Sequence, residues 1–343
     1  MLTVYILFTA MMLLSAVKSS HGEDAASPPI VVLITGCSSG IGKAAALAFA
    51  TSSDHTFIVY ATMRNPSKWQ LDKEDPLSSR IVIRHMDVVS ESSIDTLVDE
   101  IIQTHGKIDI MVNNAGYGLA GSLETVTIEE AKDVFEVNVW GVVRLLHKVL
   151  PCMRNQRAGH VINISSTSGI RGIPSMDFYT GSKFALEGIM DSLRYSLSLY
   201  DVYITNVNAG PVRTSFTDRF GDASVGGLGT RKALNGEALE AYAVKAVNSL
   251  KDRMGGPEVQ TADELGNIIL QVALLRLGNK DKGGGVQEVP FNLATSPASQ
   301  KVLDSVRVQP SGWGGIYSDI LANVPPLEAL ETTSTEKKRE QEL

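Results

Sequence analysis

The chain has 343 residues, 43% of them hydrophobic and 20% charged, enough to bury the core of one large domain. A formal net charge of −7 and a pI near 5.5, with no extended Lys/Arg run, argue against a nucleic-acid-binding surface. Two cysteines, Cys37 and Cys152, cannot make a disulfide framework, and the histidines lack ligand spacing, so no metal is expected.

Met1 to Val17 is apolar apart from Thr3, Tyr5, Thr9 and Ser15, and small and polar residues follow it. Residues 1–27 read as a secretory signal peptide or an uncleaved N-terminal anchor, with entry into the secretory route expected either way. Ile30 to Thr35 is a continuous β-branched run, as in a strand buried on both faces of a parallel sheet. A Gly-rich turn follows, and Lys43 to Ala50 is strong helix-forming sequence. Further strands are predicted over Thr56–Thr62, Ile81–His85, Ile108–Val112, His160–Ile164 and Tyr203–Val207, with a last one near Val286–Leu293. Helices are predicted over Ile94–Ile102, over Glu129–Val149 with Pro151 as its stop, over Phe178–Leu199 and over Leu265–Leu277. This alternation predicts an α/β fold: a Rossmann-type doubly wound parallel sheet in a single domain over 28–325, with ligands beyond the carboxyl ends of the strands. Residues 217–254 interrupt the rhythm with several glycines and read as a substrate lid, and 326–343 as a disordered charged tail.

Two stretches carry chemistry. In F-Y-T-G-S-K a helix puts Tyr179 and Lys183 four residues apart on one face, where an ammonium is expected to lower the phenol pKa and make it a proton donor and acceptor. In T-G-C-S-S-G-I-G, between a strand and a helix, Gly36 permits the turn, Gly40 lets backbone approach a pyrophosphate, and Gly42 allows close helix packing. Ser38, Ser39 and Ile41 fill the turn, and N–H groups at the helix start face the anion.

With N-N-A-G, V-N-V-W-G and I-N-I-S-S-T-S-G standing between them in order, these motifs resemble the short-chain dehydrogenase/reductase family over roughly Pro29–Pro325. Within it V-Y-A-T-M-R, S-K-F-A-L-E-G and A-G-P-V-R-T resemble the steroid and retinol branch. The resemblance implies Tyr179 as proton donor or acceptor, Lys183 as its electrostatic partner and ribose contact, and Asn138 as holder of a water in the proton path. The family spacing of thirteen residues selects Ser166 to hydrogen-bond the substrate oxygen, leaving Ser165 and Ser168 as strand-end and turn hydroxyls. It also implies Asp87 as the adenine contact, and Asn114, Ala115, Gly116, Pro211, Val212 and Thr214 as cofactor contacts. A homodimer through the helices at 129–149 and 178–199 is implied too.

The second strand ends in Ala61-Thr62-Met63-Arg64, with a guanidinium where an NAD enzyme carries an acid, so NADP(H) is expected. The implied substrate is a small apolar alcohol or carbonyl compound of steroid, retinoid or lipid type. Steroid specificity is put in doubt because no His follows His160 and Pro297 stands about where the branch's gripping Glu is expected. The alternatives are a 3-oxoacyl-carrier reductase and a non-catalytic NADP-binding regulator. The sequon at Asn163 lies on a predicted buried strand and is expected to carry no sugar. The end at Glu340–Leu343 resembles a K-D-E-L-type signal, so residence in the endoplasmic reticulum is expected, lumenal or membrane-associated through the N-terminus.

Overall fold

The computed structural model describes residues 28–216 except 122 and 125, residues 259–281, and residues 290–303 except 298, 301 and 302. The expected signal or anchor (1–27), lid (217–254) and tail (326–343) lie outside the described residues. Seven strands form one parallel sheet in the order β3-β2-β1-β4-β5-β6-β9. They are β1 (Ile30–Ile34), β2 (Phe57–Met63), β3 (Ile81–His85), β4 (Ile110–Asn113), β5 (Gly159–Ile164), β6 (Val202–Asn208) and β9 (Asn292–Ala294). The short pair β7 (Val212–Arg213) and β8 (Gln260–Thr261) stands apart. Chain direction reverses its progress across the sheet between β1 and β4, which opens a crevice at the carboxyl ends of those strands.

The sheet is apolar on both faces because helices cover both. Against one face pack α1 (Gly40–Thr51) and α6 (Ala262–Asp281), whose Ala45, Phe49, Leu265 and Ile269 join Val32, Ile34 and Val59 in one core. On the other face, α2 (Glu91–His105), α4 (Gly141–Gln156) and α5 (Asp177–Ser198) bury Ile94, Leu145, Val149 and Leu186 against Val31, Leu33 and Met111. None of the described helices is long and apolar enough to cross a membrane.

The predicted helix 129–149 differs from the observed one in two ways. It comprises α3 (Ile128–Phe135), a π-helical turn over Glu136–Trp140, and α4, which runs through Pro151 to Gln156. Proline therefore does not stop it, although an interior Pro costs ~3 kcal/mol in lost hydrogen bonding and ring clash. The extra turn is held by tertiary contacts that outweigh that cost. Leu150 and Met153 are buried, and the Gln156 side chain donates to the carbonyls of Ile108 and Ala158 and accepts from the Ile108 N–H. The π turn inserts one residue, a device common where a helix must aim a particular side chain. Here the side chain is Asn138, 1% exposed.

Candidate active site

The turn after β1 is built around backbone that a side chain would obstruct. Gly36 has φ +73°, and a Cβ there would lie 2.9 Å from the Ala115 Cα. At Gly42 a Cβ would collide with the Asn114 amide and lie 2.6 Å from the Gly36 carbonyl oxygen. β1 and β4 are clasped just below by Thr35, whose Oγ1 accepts from the N–H groups of Asn114 (2.9 Å) and Ala115 (2.8 Å). Asn114 Nδ2 returns bonds to the carbonyls of Thr35 (2.8 Å) and Gly36 (3.1 Å). The first turn of α1 has no side-chain cap, because the Ser39 hydroxyl makes no capping hydrogen bond, and no acid follows it. Its free N–H groups and positive dipole end thus face the crevice.

That crevice is a cleft of about 640 Å³, within the range of small-molecule sites. Of the residues singled out from the sequence, Gly36, Ser38, Ser39, Gly40, Ile41, Arg64, Asp87, Asn114, Ala115, Gly116, Ser166, Tyr179, Lys183, Pro211, Val212 and Thr214 all line it. Gly42 and Asn138 stand behind the lining. Arg64 is exposed on the rim at the end of β2. Asp87 is half-buried, with Oδ1 accepting from the Val89 N–H at 3.2 Å.

Tyr179 and Lys183 occupy successive turns of α5, both buried. Lys183 Nζ lies 5.8 Å from the centre of the Tyr179 ring and donates to the Ile164 carbonyl at 2.8 Å. Burial pushes the Tyr179 phenol up to about 12, with the Ser166 hydroxyl pulling the other way. This reverses the expected lowering by Lys183, for a physical reason. Burial also pushes Lys183 down to about 8, with Glu187 opposing, so the dry surroundings penalise both charged forms at once.

Ser166 is half-buried at the end of β5, and its Oγ accepts from the Ser168 N–H at 3.0 Å. Ser165 and Ser168 are buried, at 3% and 1% exposure. Asn138 is fully engaged: Oδ1 accepts from the Tyr117 N–H (3.0 Å), and Nδ2 donates to the Tyr117 carbonyl (3.0 Å) and to Ser182 Oγ (3.1 Å). Ser182 Oγ in turn donates to the Tyr179 carbonyl at 2.7 Å, tying the π turn to the turn of α5 that bears the tyrosine.

Sequence reasoning passed over Thr35, Ser182, Phe216 and Glu187. Thr35 was readable, as a hydroxyl at a strand end next to a Gly-rich turn. Phe216, whose ring meets Tyr179 edge-on at 5.6 Å, is brought there by tertiary packing that local sequence does not signal. Cys37, inside the turn, is a packing thiol: buried, pushed up to about 12, and donating to the Ile34 carbonyl. Asn163 of the sequon is fully buried on β5. Both cysteines are free thiols. No cluster able to hold a metal occurs among the described residues.

The human protein retinol dehydrogenase 8 is 39% identical over 194 residues, an alignment covering 56% of this chain and 61% of that one. Mouse 17-beta-hydroxysteroid dehydrogenase type 1 is 36% identical over 211 residues, covering 59% of this chain and 58% of its own. The chain thus spans about three-fifths of the length of these relatives. A crystal structure of a short-chain dehydrogenase from Streptomyces avermitilis superposes with a TM-score of 0.64 at 25% identity, over 86% of this chain and 99% of that one. The family pattern described as short chain dehydrogenase matches residues 30–224, more than half of the sequence. With a parallel sheet of that topology and the Gly-rich turn, serine and tyrosine–lysine pair brought to one cleft, the chain belongs to the short chain dehydrogenase family.

Proposed function

We propose that the protein is a nicotinamide-dinucleotide-dependent oxidoreductase, with NADP(H) preferred, that interconverts an alcohol and its ketone or aldehyde on an apolar substrate. The observation that carries this reading is the convergence of Ser166, Tyr179 and Lys183 on a cleft that also holds an uncapped helix start and a side-chain-free turn. The residues fit a dinucleotide. Gly36, Gly40 and the first turn of α1 would cradle its pyrophosphate, Asp87 its adenine, and Lys183 its nicotinamide ribose, with Asn114 to Gly116 and Pro211 to Thr214 as walls. Arg64 and Ser39 at the rim would meet a 2′-phosphate, which a guanidinium suits better than a bare ribose hydroxyl. When bound, the group supplies or takes up hydride.

The chain's own residues handle the proton. In carbonyl reduction Tyr179 Oη gives its proton to the substrate oxygen, and Ser166 Oγ donates a second hydrogen bond that polarises the carbonyl. In alcohol oxidation the same phenol oxygen must accept the proton. Burial keeps the phenol in its protonated form at neutral pH, the form that donates in reduction. Asn138, through Ser182, positions the helical turn bearing Tyr179, and a displacement of 1 Å there is worth about a hundredfold in rate. Ile173, Met176 and Phe216 give the tyrosine end of the cleft an apolar lining. This suits retinoid-, steroid- or lipid-like substrates, in keeping with what the relatives are named for.

The test is oxidation of NADPH by purified protein with a panel of retinoid, steroid, acyl-thioester and simple aliphatic carbonyls. Tyr179→Phe should abolish turnover and retain NADPH binding. A variant keeping more than about a tenth of kcat would refute the role of the phenol, and no turnover with any carbonyl would favour a non-catalytic dinucleotide-binding protein. Trp140, 50% exposed, and Phe184, 45% exposed, support a homodimer through the α4–α5 face, to be read by sedimentation. The apolar Met1–Val17 stretch supports the secretory route, endoplasmic reticulum included, which carbonate extraction and protease protection of microsomes would decide.

A further inference from the structure

Glu187 lies one turn beyond Lys183 on α5 and is the one carboxylic acid in the buried set among the described residues. Both of its oxygens are engaged: Oε2 accepts from Asn206 Nδ2 at 2.5 Å and Oε1 from Asn208 Nδ2 at 2.6 Å. The first of these amides is itself aimed. Asn206 Oδ1 accepts from Asn163 Nδ2 at 2.9 Å, and Asn163 Oδ1 accepts from Asn113 Nδ2 at 2.8 Å. Asn113, Asn163 and Asn206 are register partners on β4, β5 and β6, so amide dipoles run head to tail across three strands and end with N–H pointing at the carboxylate. A buried row of amides facing one way costs stability unless something negative terminates it.

We propose that Glu187 is a positioning residue whose carboxylate, held by this asparagine row, keeps Lys183 as an ammonium beside Tyr179. The proposal rests on the assignment of Tyr179 and Lys183 given above. A buried charge needs a partner, and the groups that β5, β6 and the residues following them bring to this pair are neutral: the Ile164 carbonyl accepts from Lys183 Nζ, while Ser165, Asn206 and Asn208 face Glu187. Tyr179 on the same helix is neutral at physiological pH. The other acids of the cleft are Asp133 and Glu136 from α3 and the π turn, and Asp87 after β3, with Glu136 already paired to Arg144. Burial lowers the Lys183 pKa and raises that of Glu187; Glu187 opposes the first shift, and Ser165, Asn206, Asn208 and Lys183 oppose the second.

The test reads Lys183 directly, with no cofactor or turnover: NMR titration of the lysine side chain in 13C-lysine-labelled protein, assigned by loss of the signal in Lys183→Met. Glu187→Gln should move the Lys183 midpoint to lower pH by about 1 unit or more, the scale of a close charge partner, and Glu187→Asp should restore most of it. An unmoved midpoint in a folded Glu187→Gln protein would overturn the proposal. Should the glutamine variant fail to fold, the wild-type protein decides. The Glu187 carboxyl carbon, followed by the same titration with 13C-glutamate labelling, should shift at the Lys183 step, and a carbon that ignores the step would overturn the coupling. The alkaline limb of NADPH-dependent reduction should move with the midpoint. If the midpoint shifts and the limb does not, the assignment of Lys183 to the chemistry fails while the ion coupling stands.

Discussion

Gly42→Ala tests whether the turn after β1 has been read correctly, because the obstruction it creates is backbone and not a flexible side chain. The added Cβ would lie 2.6 Å from the Gly36 carbonyl oxygen, 3.0 Å from its carbonyl carbon, and in collision with Asn114 Nδ2. Relief requires the Asn114 amide to leave, and with it the hydrogen bonds to the Thr35 and Gly36 carbonyls at 2.8 and 3.1 Å. Two neutral hydrogen bonds contribute ~1–3 kcal/mol together, and overpacking adds ~1–3 kcal/mol, so the loss should be ~2–6 kcal/mol. The start of α1 must shift as well, and with it the N–H groups proposed to hold the pyrophosphate, so NADPH affinity should fall by at least about tenfold in whatever fraction remains folded. Urea denaturation followed by circular dichroism gives the first quantity, and fluorescence titration with NADPH the second. Gly188→Ala is the control: among the described residues no atom lies within 4 Å of its would-be Cβ, it sits mid-helix in α5, and alanine there should stabilise by ~0.5–1 kcal/mol. A Gly42→Ala protein within about 1 kcal/mol of wild type and unchanged in NADPH affinity would refute the account of the turn.

The other expected outcomes concern single side chains. Arg64→Asp should lose a charge-assisted contact worth roughly ten- to a hundredfold in NADPH preference and place a carboxylate toward the ribose, so the kcat/KM ratio of NADPH to NADH should invert or nearly so; an unchanged ratio would make Arg64 a solvated rim residue. Ser166→Ala should cost roughly a hundredfold in kcat, more than Ser165→Ala or Ser168→Ala, and a ranking led by Ser168→Ala would refute the assignment. His160 is buried, its Nε2 is 3.0 Å from Thr205 Oγ1, and burial pushes it down to about 3, with Arg276 adding to the effect. The unfolded chain takes up this proton near 6.5 and the folded chain only near 3, so stability should fall as pH drops through that window, by at most ~1.4 kcal/mol per pH unit. His160→Gln should flatten that slope in denaturation series run between about pH 7 and pH 4, and an equally steep variant would place the acid sensitivity elsewhere.

What could be read from the sequence and what could not divide along a physical line. The β-branched run at Ile30, the Gly-rich turn and the alternation of strands with helices are local properties, and the observed strands fall within one or two residues of those predicted up to β6. The convergence of distant motifs on one cleft follows from topology, since parallel strands deliver all their carboxyl ends to the same edge. The misses concern what surrounds a residue. Pro151 is a local stop signal, but the helix continues because Gln156 is held by Ile108, a partner 48 positions away. No propensity marks the π turn at 136–140, because it exists to let Asn138 reach Tyr117 and Ser182.

The Tyr179–Lys183 pair is the most instructive case. Its spacing was legible, and spacing alone argues that the ammonium lowers the phenol pKa. Whether it does depends on the medium between the two groups, and a sequence carries no dielectric. With both buried, desolvation is the largest influence on each, leaving the phenol near 12 and the ammonium near 8. A group that is to stay charged in such surroundings needs a countercharge that is itself held in place. The residue that meets this need, Glu187, looks in the sequence like any acid on a helix. Only the asparagines of three neighbouring strands, placed side by side by the sheet, reveal that its carboxylate is anchored. The spacing of the two groups is written in the sequence, while the fold, by burying both, sets which way their pKa values move.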